Sequence, residues 1–182
     1  MVTKASVPHM NIELLDASSA MRKADDLIEL LQDAVDSGAS IGFLPPLSGE
    51  DASAYWRATF QEMAAGKRLV LGAIDGERLV GSAQLELASK ANALHRAEVQ
   101  RVLVHRSVRR QGIAERLMRK VEELARERGR SLLVLDTRQG DPSELLYQKL
   151  GYTVAGVIPG YARSATGTLD GSVFYYKRLA EA

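Results

Sequence analysis

The chain contains no cysteine. That absence excludes disulfides, thiolate nucleophiles and cysteine-built zinc or iron–sulfur sites. Also missing is any apolar run near the roughly 18–20 residues of a membrane-spanning helix, so no membrane partner is expected. The first residues lack the apolar core of a secretory signal, and the expected compartment is cytoplasmic. The three histidines, His9, His95 and His105, lie far apart without ligand spacing, so no metal site is expected. A surplus of one charge is lacking too, since the formal net charge is +1. Phosphate-backbone binding normally needs clustered excess Lys and Arg, so no nucleic-acid partner is expected. Basic residues are mostly interleaved with acids, as from Arg119 to Arg128, which is the pattern of a solvated helix face.

What remains is an ordinary globular composition, 46% hydrophobic and 26% charged over 182 residues, enough to bury the core of one domain. Residues 1–9 read as a flexible lead and 10–180 as a single domain without repeat or linker. Asn11 to Leu15 reads as a strand. Ser18 or Ser19 can cap a helix with Ala24, Leu27, Ile28, Leu31, Ala34 and Val35 on one face and Gly38 as its stop. Pro45-Pro46 breaks the chain before a second helix carrying Tyr55, Ala58 and Met63. Leu69 to Ile74, the turn Asp75-Gly76 and Leu79 to Leu87 read as an antiparallel hairpin.

Further on, Ala97 to Val104 is a predicted strand, Gly112 to Arg128 a long helix and Leu132 to Thr137 another strand. Pro142 to Leu150 reads as a short helix and Tyr152 to Ile158 as a strand. A loop from Pro159 to Gly171 precedes a last strand, Val173 to Lys177. This order predicts a mixed α/β fold, a twisted mixed sheet of about six or seven strands with helices on both faces. A right-handed crossover makes the strands before Gly112 and before Arg138 parallel neighbours. Ligands of such sheets sit at the carboxyl ends of the strands.

The stretch from Val102 to Met118 is the most informative. An apolar strand end runs into a basic turn, Arg109-x-x-Gly112-x-Ala114, that opens a helix. Unpaired backbone N–H groups and the positive end of the helix dipole there suit a pyrophosphate, with Arg109 and Arg110 adding charge-assisted donors. The plain alternative is an ordinary turn on a solvated basic helix. Three residues add chemistry near the same end. Glu98 shares one predicted strand face with Gln100, Val102 and Val104 and could accept a proton, or simply be hydrogen-bonded structure. Asp136 ends an apolar strand, where it is either a desolvated carboxylate at a ligand site or a turn cap. Tyr147 can hold its proton at neutral pH and give it to a nascent thiolate, or it is a core tyrosine.

With these residues in hand, the chain resembles the GCN5-related N-acetyltransferase (GNAT) superfamily. Arg109-x-x-Gly112-x-Ala114 is similar to its acetyl-CoA signature, (Gln/Arg)-x-x-Gly-x-(Gly/Ala). Leu145 to Tyr152 is similar to its second signature, Tyr-x-x-x-Gly-Phe, with Tyr152 replacing the Phe. Within the superfamily the chain is closer to the bacterial tabtoxin-resistance acetyltransferases, through Gly38 to Phe43, Arg96 to Gln100, Leu135 to Thr137 and Pro159 to Tyr161.

The resemblance implies a splayed pair of central parallel strands and acetyl-CoA as co-substrate. The backbone of Leu103 and Val104 would meet the pantetheine arm. The segment Arg109, Arg110, Gln111, Gly112, Ile113 and Ala114 would hold the pyrophosphate, and Ser143 stands where the family often has an Asn. Tyr147 would be the general acid near the sulfur. Glu98, fourteen residues before Gly112, stands at the spacing of the family's glutamate base, with Asp136 as ammonium contact or alternative base. The implied activity is acetyl transfer to a primary amine of a small molecule, amino-acid-like or antibiotic- or toxin-like, by direct attack in a ternary complex. Alternatives are acetylation of a protein N-terminus or lysine, and a non-catalytic acyl-CoA-binding module. Monomer and homodimer both remain open.

Overall fold

The computed structural model describes residues 10–180; the predicted flexible lead, residues 1–9, lies outside them. In chain order the elements are β1 (Met10–Leu15), α1 (Ala17–Arg22), α2 (Ala24–Asp36), α3 (Gly49–Ala64), β2 (Arg68–Asp75) and β3 (Arg78–Leu87). Then come β4 (Arg96–Val104), α4 (Ile113–Glu127), β5 (Leu132–Arg138), α5 (Ser143–Lys149), β6 (Thr153–Arg163) and β7 (Leu169–Arg178). The strands form one seven-stranded sheet in the order β1-β2-β3-β4-β5-β7-β6. Among the described residues only β4 and β5 run parallel, as the strand–helix–strand pattern predicts; every other pairing there is antiparallel.

Each face of the sheet is covered by helices, and alternation along the strands sends neighbouring residues to opposite cores. Leu117, Met118 and Val121 of α4 and Tyr147 of α5 share a core with Leu71, Leu85, Leu133 and Leu135. On the other face Leu27, Leu30 and Leu31 of α2 and Trp56 of α3 pack with Val70, Leu79 and Leu103. The Trp56 indole donates to the Leu27 carbonyl at 2.9 Å, tying α3 to α2. Burying a leucine as fully as Leu117, 0% exposed, contributes about 2 kcal/mol before entropy is counted. Gly81 on β3 is required by close approach. A Cβ there would sit 3.1 Å from the Leu103 carbonyl oxygen and 3.3 Å from Ile113, so its absence lets the start of α4 settle on the sheet.

Three expectations change. The first predicted helix is two: Asp16, not Ser18 or Ser19, caps α1 by accepting from the Ser19 amide, and the chain turns at Lys23 before α2. Most of the predicted Pro159–Gly171 loop is strand, because β6 runs to Arg163 and β7 starts at Leu169. Strand β6 is the sheet edge, where a proline costs no ladder hydrogen bond on its open side, and a register irregularity between Ile158 and Ala162 absorbs the Pro159-Gly160 pair.

The third change lies in β4. Gln84 pairs with Gln100 and Ser82 with Leu103, so β4 carries one extra residue, and Arg101 has φ 47. This bulge breaks the predicted shared face. Glu98 and Gln100 face α3, while Val102 and Val104 turn to the α4 core and Leu103 points back toward α2.

Candidate active site

Strands β4 and β5 pair only at Arg96–Leu132, Ala97–Leu133 and Glu98–Val134. Beyond Glu98 each strand continues, but apart. The gap is part of a cleft of about 930 Å³ lined by Glu98 to Val104, Asp136 to Arg138, the first residues of α4, and Ser143, Leu146 and Tyr147 of α5. The lining comes from both faces of the sheet. The cleft therefore passes between the strands, with α4 and α5 on one side and α2 and α3 on the other.

On the α4 side the wall is backbone. Arg110 has φ 62 and Gly112 φ 77, so the turn is left-handed at both positions before α4 begins. Nothing lies within 4 Å of where a Gly112 Cβ would be, which leaves that approach open. The first intrahelical bond is Arg116 N–H to the Gly112 carbonyl at 3.1 Å, so the preceding amides at the helix start have no helical partner. Amides so arranged form an anion cradle. Gly112, Ile113, Ala114, Arg109 and Arg110 line the cleft, whereas Gln111 does not. Glu115 would oppose an anion here. Its charge is paired with Lys149 at 2.6 Å and Arg119 at 2.8 Å, and those hydrogen bonds hold its carboxyl below the ordinary value.

Arg109 points away from the cradle. Its Nε donates to the Val104 carbonyl at 3.0 Å and its Nη2 reaches Ser37 at 3.2 Å and Asp33 at 3.5 Å. Arg106 also binds Asp33, through its backbone N–H at 3.0 Å and through its guanidinium. Asp33, 8% exposed near the end of α2, thus anchors the turn from across the sheet. In the sequence it continues the acidic flank of Asp26 and Glu29 beside the apolar stripe, so nothing marked it out.

On the α2 and α3 side the wall is built of side chains. Glu98 is half-buried and accepts from Gln100 Nε2 at 2.9 Å; Gln100 also donates to Glu86 at 3.0 Å and accepts from Arg68 at 2.6 Å. Asp136 is exposed rather than desolvated, and Ser172 donates to it at 2.6 Å from β7. It lies inside β5 and caps no turn. Since Leu133 and Leu135 face the α4 core, Val134 and Asp136 face the other way, toward Glu98's side.

Tyr147 stands on the α4 side of the cleft. It is 7% exposed, packs against Tyr152 and Tyr175 at ring distances of 5.9 and 5.8 Å, and lines the cleft. Burial pushes its phenol well above the ordinary value, and the Asp136 and Asp141 carboxylates push it further. It therefore keeps its proton through the neutral range. Ser143 also lines the cleft, its hydroxyl 2.7 Å from that of Thr137.

The model of the acetyltransferase (GNAT) family matches residues 29–152, which include both walls' strands, α4 and Tyr147. The chain belongs to the GNAT family of acetyltransferases. An uncharacterized N-acetyltransferase of Azospirillum brasilense is 34% identical over 116 residues, 63% of this chain and 67% of that protein. Among solved structures, a putative acetyltransferase of Acinetobacter baylyi is 20% identical with a TM-score of 0.81, covering 97% of each chain. Another, from Salmonella typhimurium and solved with its cofactor acetyl-CoA, is 22% identical with a TM-score of 0.76, covering 96% of each chain. At these identities the structures speak for the fold.

In this GNAT acetyltransferase the predicted residues Glu98, Leu103, Val104, Asp136, Ser143 and Tyr147 meet at one cleft with the Arg109–Ala114 turn. At the closed end of the β4–β5 pair, outside the cleft, the His95 carbonyl accepts from the Ser131 and Leu132 amides. The residues that sequence reasoning missed are Asp33, Ser172 and Arg101.

Proposed function

We propose that this chain moves the acetyl group of acetyl-CoA to a primary amine of a small molecule, amino-acid-like or antibiotic- or toxin-like, by direct attack in a ternary complex. The observation that carries the reading is the parting of β4 from β5 beyond the Glu98–Val134 pair. It leaves one passage with an anion cradle on one face and carboxylates on the other. Acetyl-CoA, the co-substrate implied by the family, fits the first. Amides at the start of α4 bind its pyrophosphate, Arg110 adds charge, and the backbone of Leu103 and Val104 lies along the pantetheine arm. Ser143 borders the same arm.

The acceptor enters from the other face. An ammonium cannot attack a thioester, so it must first give up a proton. Glu98, half-buried and oriented by Gln100, takes it, while Asp136 holds the ammonium before transfer. A backbone N–H near Leu103 or Val104 polarises the carbonyl. As the C–N bond forms and the C–S bond breaks, the leaving thiolate takes its proton from Tyr147, and the second proton that the nitrogen sheds in becoming an amide restores the phenol by way of solvent. Holding both reactants in one passage supplies much of the acceleration. A small acceptor is favoured over a protein segment because Gly38 to Gly42, Tyr161 and Ala162 border the same cleft as the two carboxylates. The likeness to tabtoxin-resistance enzymes points the same way.

The test is CoA thiol release with a panel of amines and peptides, repeated with Glu98→Gln and Asp136→Asn. Loss of the base should depress kcat and shift the acidic limb of the pH–rate profile, whereas loss of the anchor should mainly raise KM for the amine. Wild-type kcat and KM in both variants across the pH range would overturn the carboxylate mechanism. Turnover of peptides alone would replace the small acceptor by a protein.

A further inference from the structure

Arg101 stands at the β4 bulge, on the acceptor side of the cleft. Its guanidinium lies 4.5 Å above the Tyr55 ring, and its hydrogen bond is a long one, 3.3 Å from Nη1 to Gln100 Oε1. Its Nε is buried with no hydrogen-bond partner, and no carboxylate forms an ion pair with the group among the described residues. The neighbouring cleft arginine is different: Arg138 is held by Asp141 at 2.8 Å and approaches Asp170. A partly buried guanidinium, with five donors and a fixed positive charge, is costly to leave without an anion. Stacking on Tyr55 holds the planar group in place without neutralising it. Gly42 borders it: a side chain there would begin 3.7 Å from Arg101 Nη2.

We propose that Arg101 binds a carboxylate of the acceptor, so that the acceptor is an aminocarboxylate rather than a polycation. This rests on the acetyl-transfer reading and sharpens it. Gln100 sets the spacing, because its amide oxygen faces Arg101 while its amide nitrogen donates to Glu98 at 2.9 Å. A molecule with ammonium and carboxylate a few bonds apart spans the two. Its carboxylate meets the guanidinium fork, a geometry suited to bidentate pairing, and its amine meets Glu98 and Asp136. Polyamines and aminoglycosides bring positive charge against Arg101 and leave it unpaired.

The test compares kcat/KM for the proteinogenic L-amino acids, their carboxamides, their decarboxylated amines, polyamines and aminoglycosides, measured by CoA thiol release. The free amino acids should exceed their own carboxamides by about 100-fold, the scale of losing one partner of a desolvated charge pair. In Arg101→Met that ratio should collapse toward one through KM, and Arg101→Lys should retain part of it. If Arg101→Met fails to melt cooperatively, Arg101→Lys and the wild-type ratio carry the test. Equal use of amino acids and carboxamides by the wild-type protein, or preference for a polycation, overturns the inference while leaving acetyl transfer intact. So does failure of every carboxylate in a protein that binds acetyl-CoA by calorimetry. Absence of acetyl-CoA binding overturns the reading beneath it as well.

Discussion

The two walls of the cleft are made by different means. The α4 wall is main chain: one contiguous turn, left-handed at Arg110 and Gly112, feeding free amides into the start of a helix. The α3 wall is side chain: Glu98 and Arg101 from β4, Asp136 from β5 with Ser172 from β7, and Tyr55 from α3 beneath the guanidinium. A backbone wall tolerates most side-chain changes and keeps one ligand. A side-chain wall can be rewritten residue by residue. Substitutions in the first wall should therefore act on acetyl-CoA, and those in the second on the amine.

The largest effect expected is for Gly112→Asp. An Asp at φ 77 is strained by about 1–2 kcal/mol, but Asp is among the side chains that visit left-handed backbone and suits a helix start, so the fold should survive. Its charge would face the pyrophosphate, and acetyl-CoA affinity should fall about 1000-fold in calorimetry, as for an enforced like-charge contact. Unchanged affinity would remove the cradle from the account. Next is Tyr147→Phe, which should lower kcat about 100-fold with acetyl-CoA affinity nearly unchanged. Wild-type kcat would make the residue purely structural.

These effects divide as the sequence divided. The cradle was legible because its residues are adjacent and its physics is local. So were the hairpin and the strand–helix–strand unit, whose apolar periods switch cleanly from helix to strand. The side-chain wall was legible only in part. Glu98 and Asp136 could be named, but the extra residue at Arg101 reverses every face after it, and nothing in Gln100-Arg-Val102 announces a bulge. Asp136's partner lies on β7 and the turn's anchor, Asp33, on α2, so long-range packing alone joins them. Strand β6 hid behind Pro159-Gly160, residues that read as loop unless the strand is known to be an edge. The break at Lys23 hid for the opposite reason, since lysine sits well in a helix.

A smaller effect tests the link between the walls. Asp33→Ala should cost about 2 kcal/mol of stability, discounted because Arg106 and Arg109 are largely exposed. It should weaken acetyl-CoA binding less than tenfold, since it loosens the turn without touching the ligand. An effect on amine KM with none on acetyl-CoA would break the division of labour. The smallest effect is alkaline. The Tyr147 phenol is raised in the folded protein by burial and then by Asp136 and Asp141, so the unfolded chain releases this proton first. Stability should fall as pH rises above about 10, the ordinary phenol value, and be indifferent to this group below it. Denaturant melts of Tyr147→Phe should show a shallower loss over that range; an identical slope would mean that the phenol titrates normally.

The most direct measurement is a crystal structure of the protein with acetyl-CoA. The account predicts the pyrophosphate on the amides from Arg110 to Ala114, the pantetheine between β4 and β5 against Leu103 and Val104, and the sulfur beside Tyr147. The acetyl group should face Glu98's side of the sheet. Acetyl-CoA bound outside the β4–β5 gap, or a gap closed by continued pairing beyond Glu98 and Val134, would contradict it.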